Sequence, residues 1–280
     1  MKAPPFAYAR ARSLVEVFEL LDKHGAGAKL LAGGQSLLAA LNLRLSAPDI
    51  LIDISRIPEL TGIKVAGGKV HIGALTTHAE IERSADVAAH APLLAQAAPH
   101  IAHAAIRNAG TLGGSIATAD PAAEWPACCV ALDAEFVVAA KTGSRRVKAR
   151  DFFKGVYATV LRPNEVLTGI EFPARSPAHV SAFLELALRR GDYAIVGVAA
   201  VASKANGALT GVRLAYLGAD KTPVLARGAM AAAEAGRPAA EVAAALAADL
   251  RPAPDLYSTA ATKLHLARVL TGRALAALIS

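Results

Sequence analysis

The sequence predicts an α+β protein in three parts: residues 1–56 and 57–175 as two N-terminal subdomains, and residues 176–280 as a C-terminal domain in which a three-stranded antiparallel sheet is backed by helices. Three observations predict this. The chain opens on a β-α-β pattern. Two short Gly-Gly turns, Ala32-Gly33-Gly34-Gln35-Ser36 and Thr111-Leu112-Gly113-Gly114-Ser115, stand far apart, each after an apolar or small-residue run and each flanked by a hydroxyl residue. Beyond a linker at 173–179 that holds two prolines, long strand patterns give way to alanine-rich helices, the order of an α+β unit. A chain of 280 residues can bury a large core.

In the first part, Ser13 to His24 reads as an amphipathic helix, N-capped by Ser13 with Glu16 three residues on and ended by Gly25. Lys29 to Ala32 is a short apolar run before the first Gly-Gly turn. Leu37 to Leu45 reads as helix, and Asp49 to Ile54 alternates as a strand. In the second part, Gly62 to Val65 and Lys69 to Ile72 form a hairpin about Gly67-Gly68. A helix over 77–83 is capped by Thr76 or Thr77, and Leu93 to Arg107 is helical in composition, broken by Pro99. After the second Gly-Gly turn, Pro121 to Leu132 reads as a helix with proline in its first turn. Glu135 to Ala140, Arg145 to Lys148 and Val166 to Phe172 read as strands. In the third part the strands are Ser181 to Arg189, Ala194 to Lys204 and Thr210 to Leu217. The helices are Val224 to Ala235, Ala239 to Leu250 and Ser258 to Leu270.

Composition excludes several classes. Hydrophobic residues make up 54 %, much of it alanine, and no run reaches the roughly 18 apolar residues of a membrane span. The N-terminus has no apolar segment of a secretory signal. The two cysteines, Cys128 and Cys129, are adjacent, so no disulfide framework exists and a reducing, cytoplasmic compartment is expected. Two adjacent thiols do not make a ligand set for an iron–sulfur cluster, so any such cluster sits on a partner. The net charge of +7 raises the question of nucleic acid, but the densest basic run (Arg145, Arg146, Lys148, Arg150) has no interleaved aromatics and reads as a solvated strand face. His100 and His103 have a helical metal-ligand spacing but lack a nearby third ligand, and read as structural. Cys128 and Cys129 sit in an apolar helix and read as inert buried thiols.

The Gly-Gly turns carry the chemistry. Either one alone is a plain strand-to-helix turn. Two together can close on one doubly charged pyrophosphate, offering backbone N–H donors without Cβ atoms in the way, plus the hydroxyls of Ser36, Thr111 and Ser115. The chain therefore reads as a dinucleotide-binding protein. It is not a Rossmann protein: Gly25-Ala26-Gly27 precedes a strand, and Leu30 stands where a third glycine belongs.

The motifs Leu31-Ala32-Gly33-Gly34-Gln35-Ser36-Leu37, Ile52-Asp53-Ile54-Ser55, Ile72-Gly73-Ala74-Leu75-Thr76-Thr77 and Ile106-Arg107-Asn108-Ala109-Gly110-Thr111-Leu112-Gly113-Gly114-Ser115 occur in this order. Asp120-Pro121-Ala122-Ala123-Glu124, Leu161-Arg162-Pro163-Asn164-Glu165 and Arg189-Arg190-Gly191-Asp192-Tyr193-Ala194 extend the pattern over essentially the whole chain. In these motifs the sequence resembles the FAD-binding medium subunits of molybdenum hydroxylases, the xanthine dehydrogenase and carbon monoxide dehydrogenase family. The resemblance implies a PCMH-type fold that holds FAD non-covalently between two N-terminal subdomains, with the C-terminal domain closing over the flavin. It implies a site made of Leu30, Leu31, Ala32, Gly33, Gly34, Gln35, Ser36, Leu37, Ile101, Thr111, Gly113, Gly114, Ser115, Glu124, Leu161 and Tyr193. Glu124 matches an acidic position, usually Asp in the family, that contacts ribityl or ribose hydroxyls. The backbone at Leu161 faces the isoalloxazine edge, and Tyr193 lies near the flavin ring.

The resemblance further implies electron transfer and no acid, base or nucleophile on this chain. The molybdenum cofactor belongs to a large partner subunit, the [2Fe–2S] clusters to a small one, and the assembly is a dimer of heterotrimers serving an external electron acceptor. Two other readings stand beside it. A free-standing FAD-dependent oxidase or reductase is favoured by covalent flavin attachment, for which neither Gly-Gly motif offers a His or Cys. A non-redox binding module with a basic surface predicts strongly salt-dependent nucleic-acid binding.

Overall fold

The computed structural model describes residues 2–280. Its first sheet is parallel, with Ile50–Asp53 in the centre between Ala7–Arg10 and Ala28–Leu31. The central strand is buried at every position, which suits the apolar run Ile50-Leu51-Ile52, and the buried Asp53 at its end is satisfied by Tyr8, Arg10 and the Ser55 N–H. The helix Leu14–His24 is capped as expected, the Ser13 hydroxyl accepting from Glu16 N–H, and it lays Val17 and Leu21 on the sheet. The helix Leu37–Asn42 follows the first Gly-Gly turn. The strand Ala7–Arg10 has no alternation of its own and is mostly exposed; only its pairing with Ile50–Asp53 makes it a strand.

The second sheet is antiparallel, in the order Ile63–Ala66, Lys69–Gly73, Val166–Pro173, Glu135–Ala140, Gly143–Lys148. Its middle strand arrives last in sequence and joins two hairpins. Beneath it lie Trp125, Phe136, Phe152 and Phe172, all fully buried, with the rings of Phe136 and Phe152 edge to face at 4.5 Å.

Three expected elements differ here. The helical stretch over 93–107 breaks at Pro99 as expected, into Pro92–Ala97 and a 3-10 turn Ala98–His100, but it is interrupted a second time before Ala104–Arg107, where Ala102 turns the backbone to φ 46°. The helix expected from Pro121 begins at Glu124, since Asp120 accepts from Ala122 N–H and holds 120–122 in an Asx turn. The second Gly-Gly segment is not a turn. It lies inside the helix Leu112–Thr118, whose N-cap Thr111 accepts from Gly114 N–H.

The third sheet pairs His179–Ala187, Ala194–Ala205 and Ala208–Leu217 antiparallel, and adds a two-residue fourth strand, Val224–Leu225, at the point where a helix was expected to start. The helices Arg227–Glu234, Ala239–Asp249 and Ala260–Ile279 cover one face, burying Val198, Leu214 and Tyr216. The alternate residues Phe183, Ala199, Val201, Ala215 and Leu217 point to the other face and join the core around Trp125 and Cys128. Arg213 fastens that junction by donating to the carbonyls of Val130 (2.7 Å) and Ala131 (2.6 Å) at the C-terminal end of the helix Glu124–Ala131.

The basic run is a solvent-exposed strand face, as read, and its cations are ion-paired on it. Arg145 forms a two-pronged pair with Glu165, both contacts at 2.8 Å. Arg146 pairs with Glu171 and Glu135, Lys148 with Glu135 and Asp133, and Arg150 with Asp133. The Arg146 hydrogen bond, with help from Lys69, brings the Glu171 carboxyl down to about 2 against the cost of its burial. A surface whose cations are matched by adjacent carboxylates has little left for a phosphate backbone.

Candidate functional site

A cavity of about 480 Å³ opens beyond the carboxyl ends of the strands Ala28–Leu31 and Ile50–Asp53, where open parallel sheets place their ligands. The helices Leu112–Thr118 and Glu124–Ala131 wall its far side, and the connection 188–193 between two strands of the third sheet reaches its rim. Every residue expected at the site lines this cavity except Leu31. Leu31 supports it from behind: its carbonyl accepts from Ile54 N–H at 2.9 Å, and its Cδ1 stands against Gly34.

The two Gly-Gly segments do different work. In the first, Gly34 turns the chain at φ 72°, and Gln35 Nε2 ties back to the Gly33 carbonyl at 3.0 Å. The N–H groups of Gly33, Gly34, Gln35, Ser36 and Leu37 find no acceptor among the described residues. They form a row of amide donors along a cavity wall, the arrangement that takes an anion. The Ser36 hydroxyl caps no helix amide, which leaves it free for a ligand.

In the second segment the amides are already taken. Leu112 N–H donates to the Thr76 carbonyl (3.0 Å), Gly113 N–H to that of Ala74 (2.8 Å), Gly114 N–H to Thr111 Oγ1 (3.1 Å) and Ser115 N–H to the Thr111 carbonyl (3.0 Å). The expectation that both turns donate rows of backbone amides is therefore narrowed: of the second segment's amides only Thr111 N–H has no acceptor among the described residues, and what the segment adds is hydroxyls, chiefly Ser115. Its glycines are there for packing. A Cβ on Gly113 would press on Ala74, and a Cβ on Gly33 would overlap the Ala109 carbonyl oxygen. The first segment thus lies directly on the backbone that leads into the second.

Glu124 lines the cavity in the first turn of its helix and is buried. Burial above all, then the nearby Glu185 and Asp120 carboxylates, push its carboxyl up to about 8. Asp120, whose segment is read from sequence first as a helix cap and second as a cofactor contact, also lines the cavity, and so does His78, which the sequence did not single out. Asp120 accepts from the Tyr157 hydroxyl at 3.2 Å. His78, nearly fully buried, accepts at Nδ1 from the Trp125 indole N–H at 2.9 Å, and burial lowers its pKa to about 4. A signal for His78 exists in hindsight: it follows the capping-box threonine Thr77 and so stands in the first turn of a helix whose partner strand is fixed. Tyr193 stands at the rim, 72 % exposed, where a ring can cover a ligand without filling the cavity. At Leu161 the N–H is taken by Thr159 Oγ1 at 3.2 Å, and the residue lines the cavity.

Among the described residues no cluster has the makings of a metal site. His100 Nδ1 lies 3.3 Å from a Glu185 carboxylate oxygen and its ring packs on Phe183, while His103 packs against Gly191. Cys128 and Cys129 are fully buried and free, and burial raises both thiols well above their ordinary pKa. Both are therefore expected to resist a thiol-specific chromogenic reagent in the native protein and to react on unfolding. Fast labelling under native conditions would contradict this packing.

Two family models cover the chain. One, described as the FAD binding domain in molybdopterin dehydrogenase, matches residues 4–175, and one described as the CO dehydrogenase flavoprotein C-terminal domain matches residues 181–278. The chain belongs to the FAD-binding medium subunits of the molybdenum hydroxylases. It is 39 % identical to the carbon monoxide dehydrogenase medium chain of Hydrogenophaga pseudoflava, over 98 % of this chain and 97 % of that one. It is 41 % identical to the nicotine 6-hydroxylase medium subunit of Paenarthrobacter nicotinovorans, over 78 % of this chain and 76 % of that one. The solved structure of the Hydrogenophaga pseudoflava carbon monoxide dehydrogenase superposes with a TM-score of 0.96 at 40 % identity, covering 99 % of this chain and 98 % of that one.

The cavity suits the family's cofactor on its own terms. The unpartnered amides of the first Gly-Gly segment meet the need of a pyrophosphate, and the apolar walls at Leu30, Leu37 and Ile101 meet that of a ring system. Among the described residues, no helix is long and apolar enough to cross a membrane.

Proposed function

We propose that this medium subunit is the electron-transfer flavoprotein of a molybdenum-containing hydroxylase or dehydrogenase complex, receiving electrons from a [2Fe–2S] subunit and passing them to an external acceptor. It works with a large molybdenum-cofactor subunit and a small iron–sulfur subunit, as a dimer of heterotrimers in the cytoplasm. FAD supplies the redox chemistry when bound, and the protein supplies binding, orientation and access. The observation that carries this reading is the row of unpartnered amides from Gly33 to Leu37 in the same cavity as Ser115, Glu124 and Tyr193.

In this role the amides and the Ser36 and Ser115 hydroxyls bind the pyrophosphate. Glu124 takes a hydroxyl of the ribityl or ribose chain, and as a neutral acid it can donate as well as accept. The Leu161 carbonyl meets the edge of the isoalloxazine, and Tyr193 screens the ring. Attachment is non-covalent: neither Gly-Gly segment holds a His or Cys, and the two thiols are sealed in the core.

The test is the visible spectrum of the purified protein before and after denaturation, with the supernatant chromatographed against FAD and FMN. The expected result is a flavin spectrum and quantitative release of FAD. A colourless protein that takes up no added FAD would overturn the proposal. Colour that stays with the denatured polypeptide would mean a covalent flavin and a free-standing oxidase.

A further inference from the structure

Of the polar groups that line the cavity, one is oriented with unusual strictness and has no part in the family's expected site. His78 begins the helix His78–Arg83, and its backbone N–H donates to the Gly110 carbonyl at 2.9 Å, so its Cα is tied to the segment leading into Thr111. Its side chain is buried beside Trp125, the largest fully buried side chain in the molecule. The indole N–H is a donor only, and it points at Nδ1 from 2.9 Å. Nδ1 must therefore accept, which puts the single proton of the neutral ring on Nε2.

That Nε2–H has no acceptor among the described residues. It is on the side of the ring facing Gly110, where a Cβ would come within 2.8 Å of it, and both residues line the cavity. The nearest guanidinium, that of Arg107, is engaged elsewhere, by Glu82 and by the carbonyls of Ile101 and Ala102. Among the described residues the His78 Nε2–H is not one of the sealed, unpartnered polar atoms, so it is reached from the cavity, where a ligand oxygen can take its hydrogen bond. Gly110 lies against this edge of the ring so closely that any side chain there would collide with it.

We propose that His78 is a cofactor-contacting residue: locked by Trp125 as the neutral Nε2–H tautomer, its imidazole donates a hydrogen bond to an acceptor oxygen of FAD where Gly110 and Thr111 line the cavity. This rests on the flavoprotein reading above and adds to the amide row a side-chain donor beside Gly110, the residue on which the first Gly-Gly segment packs. Because the donor is neutral, it binds without placing a cation beside the flavin. Trp125 acts as the positioning residue: it touches no ligand and acts through the imidazole.

The experiment uses the full-length protein, with FAD removed and then added back, and reads the two ring nitrogens of His78 by nitrogen-15 NMR. The expected result is an Nε2–H tautomer in the cofactor-free protein and a shift of the Nε2–H resonance when FAD is added. In parallel, His78→Gln keeps a donor and is expected to hold FAD near the wild-type affinity. His78→Leu is expected to lose about tenfold, the worth of one hydrogen bond to the ligand. Trp125→Phe frees the tautomer, and a second His78 nitrogen signal should appear with weaker FAD binding. FAD uptake with an unmoved His78 resonance, or an Nδ1–H tautomer in the wild-type protein, would overturn this proposal and leave the flavoprotein reading standing. A wild-type protein that takes up no FAD would overturn both. The NMR arm needs no variant, so a poorly folding His78→Leu does not decide the matter.

Discussion

Gly33→Ala is expected to remove measurable FAD binding and to destabilise the protein. The added methyl group would overlap the Ala109 carbonyl oxygen and crowd Gly110 Cα, both backbone atoms that cannot rotate away. The clash is relieved only by separating the first Gly-Gly segment from the backbone leading to Thr111. Overpacking of this kind costs about 3 kcal/mol. Separation also disperses the amide row from Gly33 to Leu37. Losing two hydrogen bonds to a charged group costs roughly 3–6 kcal/mol, at least about a hundredfold in affinity. The check is an equilibrium FAD titration beside urea denaturation, with Gly272→Ala as the control. Gly272 lies in the helix Ala260–Ile279 with open space around it, so alanine there should stabilise by about 0.5–1 kcal/mol through helix propensity and leave FAD binding unchanged. A Gly33→Ala protein with wild-type affinity would mean that the two segments do not meet.

The second large effect is a pH dependence carried by Glu124. Burial first, then the Glu185 and Asp120 carboxylates, raise its pKa from the ordinary 4.5 to about 8 in the folded protein. One oxygen of Glu185 is itself buried without a hydrogen-bond partner, while the other lies 3.3 Å from His100 Nδ1. Between pH 4.5 and pH 8 the folded state holds this proton and the unfolded state does not. Stability from this group is therefore complete below the unfolded value, falls as pH rises, and is gone above about pH 8, a loss bounded on the order of 5 kcal/mol.

Glu124→Gln keeps the shape and cannot ionise. Its stability curve is expected to lack that fall, so variant and wild type should diverge as the solution is made alkaline. FAD affinity should follow the same course, because a carboxylate that appears in the cavity above pH 8 repels an anionic ligand. The measurement is urea unfolding and FAD titration of both proteins across that range. Parallel curves would show that Glu124 is ionised throughout.

Much of the fold was legible because it rests on local chemistry. Ser13 caps its helix as read, and the hairpin about Gly67-Gly68 forms with both glycines at positive φ. The three long strands of the last part pair in the order expected. The misses share a cause. Ala7–Arg10 has no periodicity and becomes a strand only beside Ile50–Asp53. Val224–Leu225 is two residues at a sheet edge, too short to show a period. The basic run is exposed as read, but its pairing was not legible, because the carboxylate partners at 165 and 171 come from elsewhere in the chain.

The site divides in the same way. Sequence alone pointed to two glycine-rich segments as the makings of one dinucleotide site, because each is contiguous and built of residues that suit a pyrophosphate, while Glu124 and Tyr193 joined them only through the family resemblance. Only the tertiary structure decided which atoms remain to bind it. The amides at Gly33 to Leu37 are free and those at Leu112 to Ser115 are spent on Ala74, Thr76 and Thr111. His78 enters the cavity because Trp125, which lies 47 positions along the chain, fixes its ring. Whether a donor is available depends on what it meets across the fold, and those meetings are made by packing between distant segments.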